Sequence, residues 1–96
     1  MLALVSTGQV QPGRLDEVIR IVSEVTIFKE LPGFKRYDFL VDRTQNRTLA
    51  ISLLETQADV DALLASPAIR DALARVTPMY VAGTTERGVW EVAVQR

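Results

Sequence analysis

Four prolines, Pro12, Pro32, Pro67 and Pro78, cut this chain where a regular element has to start or stop. Between them the hydrophobic period switches, and that alternation constrains the fold more than any other feature. Residues 2–10 read as a strand ended by Pro12-Gly13. Arg14 to about Phe28 is assigned to a helix. Its β-branched run (Val18, Ile19, Ile21, Val22, Val25) favours a strand by propensity, but about 15 residues is long for one. Leu15, Val18, Val22 and Val25 also fall on one helical stripe, with Asp16, Arg20 and Glu24 opposite as successive i,i+4 ion pairs. Ile27 and Leu31 leave the stripe, so the helix is expected to fray or turn before Pro32-Gly33.

Period two returns twice after Pro32-Gly33, over Lys35 to Val41 and Thr48 to Leu54. The polar stretch Asp42 to Arg47 between them makes this a β-hairpin, and the glycosylation-like triplet Asn46-Arg47-Thr48 is read as its tip. Thr56 with Asp59 resembles a capping box ahead of Val60, Leu63 and Leu64. Ser66 as cap and Pro67 at the first helical position then restart the helix, with Ile69, Leu73 and Val76 on its buried stripe, so the second helix is kinked or split. Pro78 closes it, and Val89 to Val94 form the last strand. The order βαββαβ in a single domain, residues 1–96, predicts an α+β, ferredoxin-like fold: a four-stranded antiparallel sheet with both helices on one face.

That sheet has a second face. Strand residues are apolar on both parities, as with Leu49, Ile51 and Leu53 against Ala50 and Leu54, so a lone copy would expose an apolar sheet. A homodimer packed through the sheet face is expected.

Chemistry is bounded by subtraction. The chain has no Cys and no His, which removes thiolate nucleophiles, Cys/His zinc sites, histidine-ligated haem and imidazole catalysis. The net charge of −1 supplies no field toward nucleic acid or anionic membranes. Met1 to Gly8 lacks the basic flank and the length of a signal or membrane segment, so a cytoplasmic protein is expected. Gly83 to Gly88 lacks the Lys and Ser/Thr of a phosphate loop and leads into a strand. Lys35, Arg36, Arg43 and Arg47 read as a solvated basic cluster, Asp59 and Asp61 point to different sides of their helix, and no loop has calcium spacing, so no metal is expected.

Any catalysis must then come from carboxylates, Tyr37, Tyr80, Arg or Lys, hydroxyls, or the substrate's own reactivity. Arg36 and Asp38 share one face of the second strand, where they could orient a phenol or enol oxygen or simply pair at an exposed edge or dimer rim. Tyr37 and Phe39 share the other face with Val41, for core packing or for stacking on a ligand. Trp90 reads as a core or dimer anchor, or as a substrate-lining residue. Its neighbour Glu91 faces solvent, a pocket or, as first choice, an Arg across the dimer.

The run from Leu54-Glu55-Thr56-Gln57-Ala58-Asp59 to Ala65-Ser66-Pro67-Ala68-Ile69-Arg70, with Pro12-Gly13, Leu31-Pro32-Gly33-Phe34 and Tyr37, resembles the antibiotic biosynthesis monooxygenase family of the dimeric α+β barrel group. The resemblance implies a small cofactor-independent monooxygenase acting on an aromatic or polyphenolic small molecule. The alternative is a non-catalytic module of the same fold that binds a small apolar ligand or dimerises. Where the family's oxygenases and haem degraders usually carry a Trp this chain has Leu54, at the haem degraders' axial His it has Leu73, and at their first-strand Asn it has Ser6. Haem degradation is therefore not expected. The residues implied for catalysis are Tyr37, Arg36 and Ser6, and those implied for substrate binding are Trp90, Leu54, Leu73 and Phe28. With Ser6 and Leu54 on the helix side, Val5, Leu49, Ile51 and Leu53 are expected at the dimer interface.

Overall fold

The computed structural model describes all 96 residues. Strand β1 (Leu2–Gln9) leads to helix α1 (Leu15–Ser23) and a 3-10 turn (Ile27–Glu30). The hairpin β2 (Phe34–Asp42) and β3 (Arg47–Leu54) follows, then α2 (Gln57–Ala65), α3 (Pro67–Val76), a second 3-10 turn (Thr77–Met79) and β4 (Glu86–Glu91). The strands form one antiparallel sheet in the order β2-β3-β1-β4, which is the ferredoxin-like arrangement.

Side chains alternate across the sheet, and the two parities go to different places. Leu4 and Leu54 pack under α2 and α3 with Val60, Leu63 and Ile69. Phe39 and Val41 pack under α1 with Val18, Ile21 and Val76. All helices therefore cover one face. The opposite parity, Val5, Leu49, Ile51, Leu53, Leu40 and Trp90, lies on the face with no helix over it. Trp90 is 65% exposed there. The β2–β3 register slips once, between Phe34 and Arg36, ahead of these residues.

Local chemistry explains most boundaries. The Thr56 hydroxyl accepts from the Asp59 backbone N–H at 3.3 Å while the Asp59 carboxylate accepts from the Thr56 backbone N–H at 3.1 Å, a reciprocal capping box. Gly33 (φ +66) passes so close to α2 that any side chain there would collide with the Asp59 carboxylate.

The structure corrects several details. Helix α1 ends at Ser23, not near Phe28: the Ser23 hydroxyl donates back to the Arg20 carbonyl at 2.7 Å, and the ladder tightens as the Val25 backbone N–H donates to the Val22 carbonyl at 3.1 Å. Arg20 pairs with Glu24 at 2.9 Å, but Asp16 pairs with Arg43 of the hairpin at 3.1 Å instead of with Arg20. Ser66 precedes Pro67 at the start of α3 yet makes no capping bond with its side chain. The last strand is shifted to Glu86–Glu91, since its partner β1 begins at Leu2, opposite Glu91, and beyond that pair only the Val92 backbone N–H still donates, to the Met1 carbonyl at 3.1 Å. Glu91 is exposed at that strand end. No helix is long and apolar enough to cross a membrane.

Candidate functional site

The strand residues beneath the helices are unusually small. Ser6 lies opposite Ala50, Gly8 opposite Thr48, and Ser52 opposite Tyr37. Large side chains on the helices meet this small-residue floor without filling the space above it. The result is a cavity of about 360 Å³ lined by 20 residues, 12 of them hydrophobic. Its volume lies in the range of small-molecule sites, and its mostly apolar lining is typical of them. Val22 of α1, Leu63 and Leu64 of α2, and Ile69, Leu73 and Val76 of α3 form the roof.

The polar groups are few. The side-chain oxygens of Tyr37, Ser6 and Ser52 take no partner within the chain, and no buried side-chain oxygen or nitrogen is left unpaired. These hydroxyls therefore open on the cavity space. Burial pushes the Tyr37 hydroxyl up to about 12, with nearby Tyr80 adding in the same direction, so it stays protonated and offers a hydrogen to a ligand oxygen. Burial also raises Tyr80, against its hydrogen bond to Thr48. The Thr48 and Tyr80 hydroxyl oxygens lie 2.7 Å apart. At the rim, Arg87 of β4 sits opposite Ser6 in register and enters no ion pair. Glu86 lies beside it. No three carboxylates converge into a cluster that could hold a metal ion.

One wall is aromatic. The Phe28 ring, on the first 3-10 turn, stacks on Tyr37 with centroids 4.3 Å apart and an interplanar angle of 17°. Phe34 abuts Phe28 at 5.6 Å. That turn has no buried residue, so little beyond this aromatic contact and its neighbouring apolar side chains ties it down.

Ser6, Tyr37, Phe28 and Leu73 thus come together around one cavity. Arg36, Trp90 and Leu54 do not. Arg36 has the parity of the open face and donates to Asp38 at 2.7 Å, so its charge is directed away from the cavity. Trp90 lies on the same open face, opposite Ala3. Leu54 is fully buried in the core and contributes packing, not lining. Thr48, Ser52 and Arg87 escaped the sequence reading, and Tyr80, named there among the possible catalytic groups, was given no place. Parity could have found Thr48 and Ser52, which alternate with Leu49, Ile51 and Leu53. Arg87 was lost because the last strand was begun at Val89.

The model of the antibiotic biosynthesis monooxygenase family matches residues 1–75. Among solved structures, SnoaB, a cofactor-independent oxygenase from Streptomyces nogalater, superposes with a TM-score of 0.75 at 20% identity, covering 98% of this chain and 94% of that one. A protein from Nitrosomonas europaea assigned to the antibiotic biosynthesis monooxygenases gives a TM-score of 0.83 at 13% identity, covering 98% of this chain and 100% of that one. A conserved protein from Methanosarcina mazei Go1 gives 0.81 at 12% identity, covering 94% of this chain and 90% of that one. At such identities the structural likeness establishes the shared fold alone. No sequence among the curated proteins matches this chain.

Proposed function

Because this chain belongs to the antibiotic biosynthesis monooxygenase family, we propose that it is a cofactor-independent monooxygenase that oxidises a phenol-bearing aromatic small molecule in the cavity between helices and sheet. The observation that carries this reading is the lining: a mostly apolar space whose unpartnered polar groups include the hydroxyls of Tyr37, Ser6 and Ser52, with the free guanidinium of Arg87 at its rim. Such a site orients a ring by stacking and apolar contact and receives its oxygen with neutral donors.

The chemistry follows from what the cavity lacks. With its hydroxyl pushed up to about 12, Tyr37 is a donor at neutral pH and not a base. The one carboxylate of the lining, Glu86, is exposed at the rim and the interior holds no base, so the substrate is one that ionises readily, releasing its proton to water. The resulting phenolate or enolate accepts hydrogen bonds from Tyr37, Ser6 and Ser52, and Arg87 balances its charge. The substrate anion supplies the electrons that reduce dioxygen. For a methylene carbon activated by flanking rings, one oxygen atom becomes the carbonyl of the product and the other leaves as water with the two displaced hydrogens.

Oxygen uptake with a panel of anthrones and polyhydroxylated naphthalenes tests this. Wild type should consume oxygen well above Ala50→Phe, whose ring fills the cavity, and Tyr37→Phe should lie between the two. A second reading, a non-catalytic module for a small apolar ligand, is favoured by a lining whose one carboxylate, Glu86, is exposed at the rim and by Leu54 and Leu73 at positions where family members carry Trp and His. Thermal stabilisation by these compounds with uptake no greater than in Ala50→Phe would decide for it.

The working unit in either reading is a homodimer of this one domain, residues 1–96, located in the cytoplasm. What supports the dimer is the open sheet face, where Val5, Leu40, Leu49, Ile51, Leu53 and Trp90 lie without a helical cover. Covering even ~800 Å² per partner at ~25 cal/mol per Å² gives a large gross driving force before association entropy is subtracted.

A further inference from the structure

We propose that Tyr80 is the specificity-determining residue of the cavity: its ring closes the end nearest the hairpin and so sets the longest fused aromatic system the site accepts. This rests on the reading of the cavity as an aromatic-ligand site. The ring lies against the sheet where β1 has no side chain, since a Cβ built on Gly8 would stand 2.7 Å and 2.8 Å from Tyr80 Cδ2 and Cε2. Thr48, the register partner of Gly8, holds the other end of the ring through the 2.7 Å contact between hydroxyls. The ring therefore spans the floor from β1 to β3 and occupies space that would otherwise continue the cavity along the sheet.

This wall is also fixed from behind. Tyr80 forms a bridge with Val10, and the Gln11 and Val81 backbone N–H groups donate to the Met79 and Gln9 carbonyls, each at 2.8 Å. The Gln11 side chain adds a donation to the Tyr80 carbonyl at 3.3 Å. At the aromatic wall, by contrast, Phe28 sits on a turn with no buried residue. A ligand longer than the cavity can displace Phe28 more readily than Tyr80, so the Tyr80 end acts as the stop. Because the Tyr80 hydroxyl is engaged by Thr48, its part is to exclude, and the residue is not assigned to the reaction itself.

The test compares wild type, Tyr80→Leu and Thr48→Val by calorimetric titration with naphthol, hydroxyanthraquinone and hydroxynaphthacenequinone, which carry two, three and four linearly fused rings. Tyr80→Leu should gain about tenfold in affinity for the four-ring compound and lose about tenfold for the two-ring one, the scale on which a pocket senses added or missing apolar contact. Thr48→Val keeps the ring but removes its anchor, and should shift the same ratio in the same direction by less. An unchanged ratio of four-ring to two-ring affinity in Tyr80→Leu overturns the proposal, and an unchanged ratio in Thr48→Val overturns it should Tyr80→Leu fail to fold. Binding to wild type with that unchanged ratio leaves the aromatic-ligand reading standing. Absence of binding by all compounds to every variant overturns both.

Discussion

The two faces of one sheet differ in the size and chemistry of the residues they carry. Beneath the helices the strands present Leu4, Phe39, Val41 and Leu54 around a patch of small residues, Ser6, Gly8, Thr48, Ala50 and Ser52, while on the uncovered face they present Val5, Leu40, Leu49, Ile51, Leu53 and Trp90. A sheet that only needed to be stable would carry bulk at those small covered positions too, and would turn polar residues toward water on its open face. Here the covered face gives up packing volume and gains a cavity of about 360 Å³. The uncovered face keeps the bulk, which only a partner can remove from water. In the function proposed above, alternate residues of the same strands would serve the site and the assembly separately.

The most severe way to break this comparison is Ile51→Asp. A carboxylate in the middle of the open face should abolish dimerisation or unfold the protein, because a buried unpaired charge costs several kcal/mol. Light scattering and melting curves measured over a range of concentrations check it. Wild type should melt at rising temperature as protein concentration rises. A stable wild-type monomer at micromolar concentration would show that the open face has no such role.

Ala50→Phe probes the other parity one residue away. It should lower ligand affinity by about a hundredfold, about 2.7 kcal/mol, while the dimer persists, because the new ring enters the cavity and not the interface. Loss of the dimer in this variant would mean that the two faces are not separable.

Alkaline titration sharpens the account of the covered face. Tyr37 is raised to about 12 from an ordinary value near 10, so the folded protein holds the proton more tightly than the unfolded chain. Its contribution is complete below pH about 10 and is lost as pH rises toward 12, up to roughly 2–3 kcal/mol for a shift of this size. Tyr80 acts with the same sign. Urea unfolding between pH 9 and 12 should therefore show wild type losing stability, with Tyr37→Phe losing distinctly less. Equal slopes would mean that the Tyr37 hydroxyl is as well solvated as in the unfolded chain.

The smallest effect belongs to Arg36→Ala. Its 2.7 Å pair with Asp38 is surface-exposed, worth about 0.5 kcal/mol or less, and it stands on the face away from the cavity. Oxygen uptake and ligand affinity should stay within about twofold of wild type. A large loss of uptake with stability intact would return Arg36 to the site.

Part of this was legible in the chain. Period-two runs, the Thr56–Asp59 capping box and Pro67 at a first helical position are local signals, and each marks its element because its cause lies within a few residues. The last strand was displaced because its limits are set by β1, far away in sequence, and no local signal marks them. The same displacement concealed Arg87. Tyr37 and Ser6 were named through the family resemblance, which is matched position by position along a strand, whereas Tyr80 comes from an irregular connection whose place over Gly8 only folding creates.

By itself, then, the sequence determined the fold class, the alternation of faces and the absence of imidazole and thiol chemistry, because periodicity and composition are properties of the chain alone. Only the tertiary structure decided which side chains meet. It put Arg36 and Trp90 on the far side of the sheet, sank Leu54 into the core, and joined Ser6, Tyr37, Phe28 and Leu73 to Ser52, Tyr80 and Arg87 around one space. The reason is that a cavity is a shortfall of volume between elements. Such a shortfall depends on how large helical side chains sit over small strand residues many positions away, and no single segment encodes it.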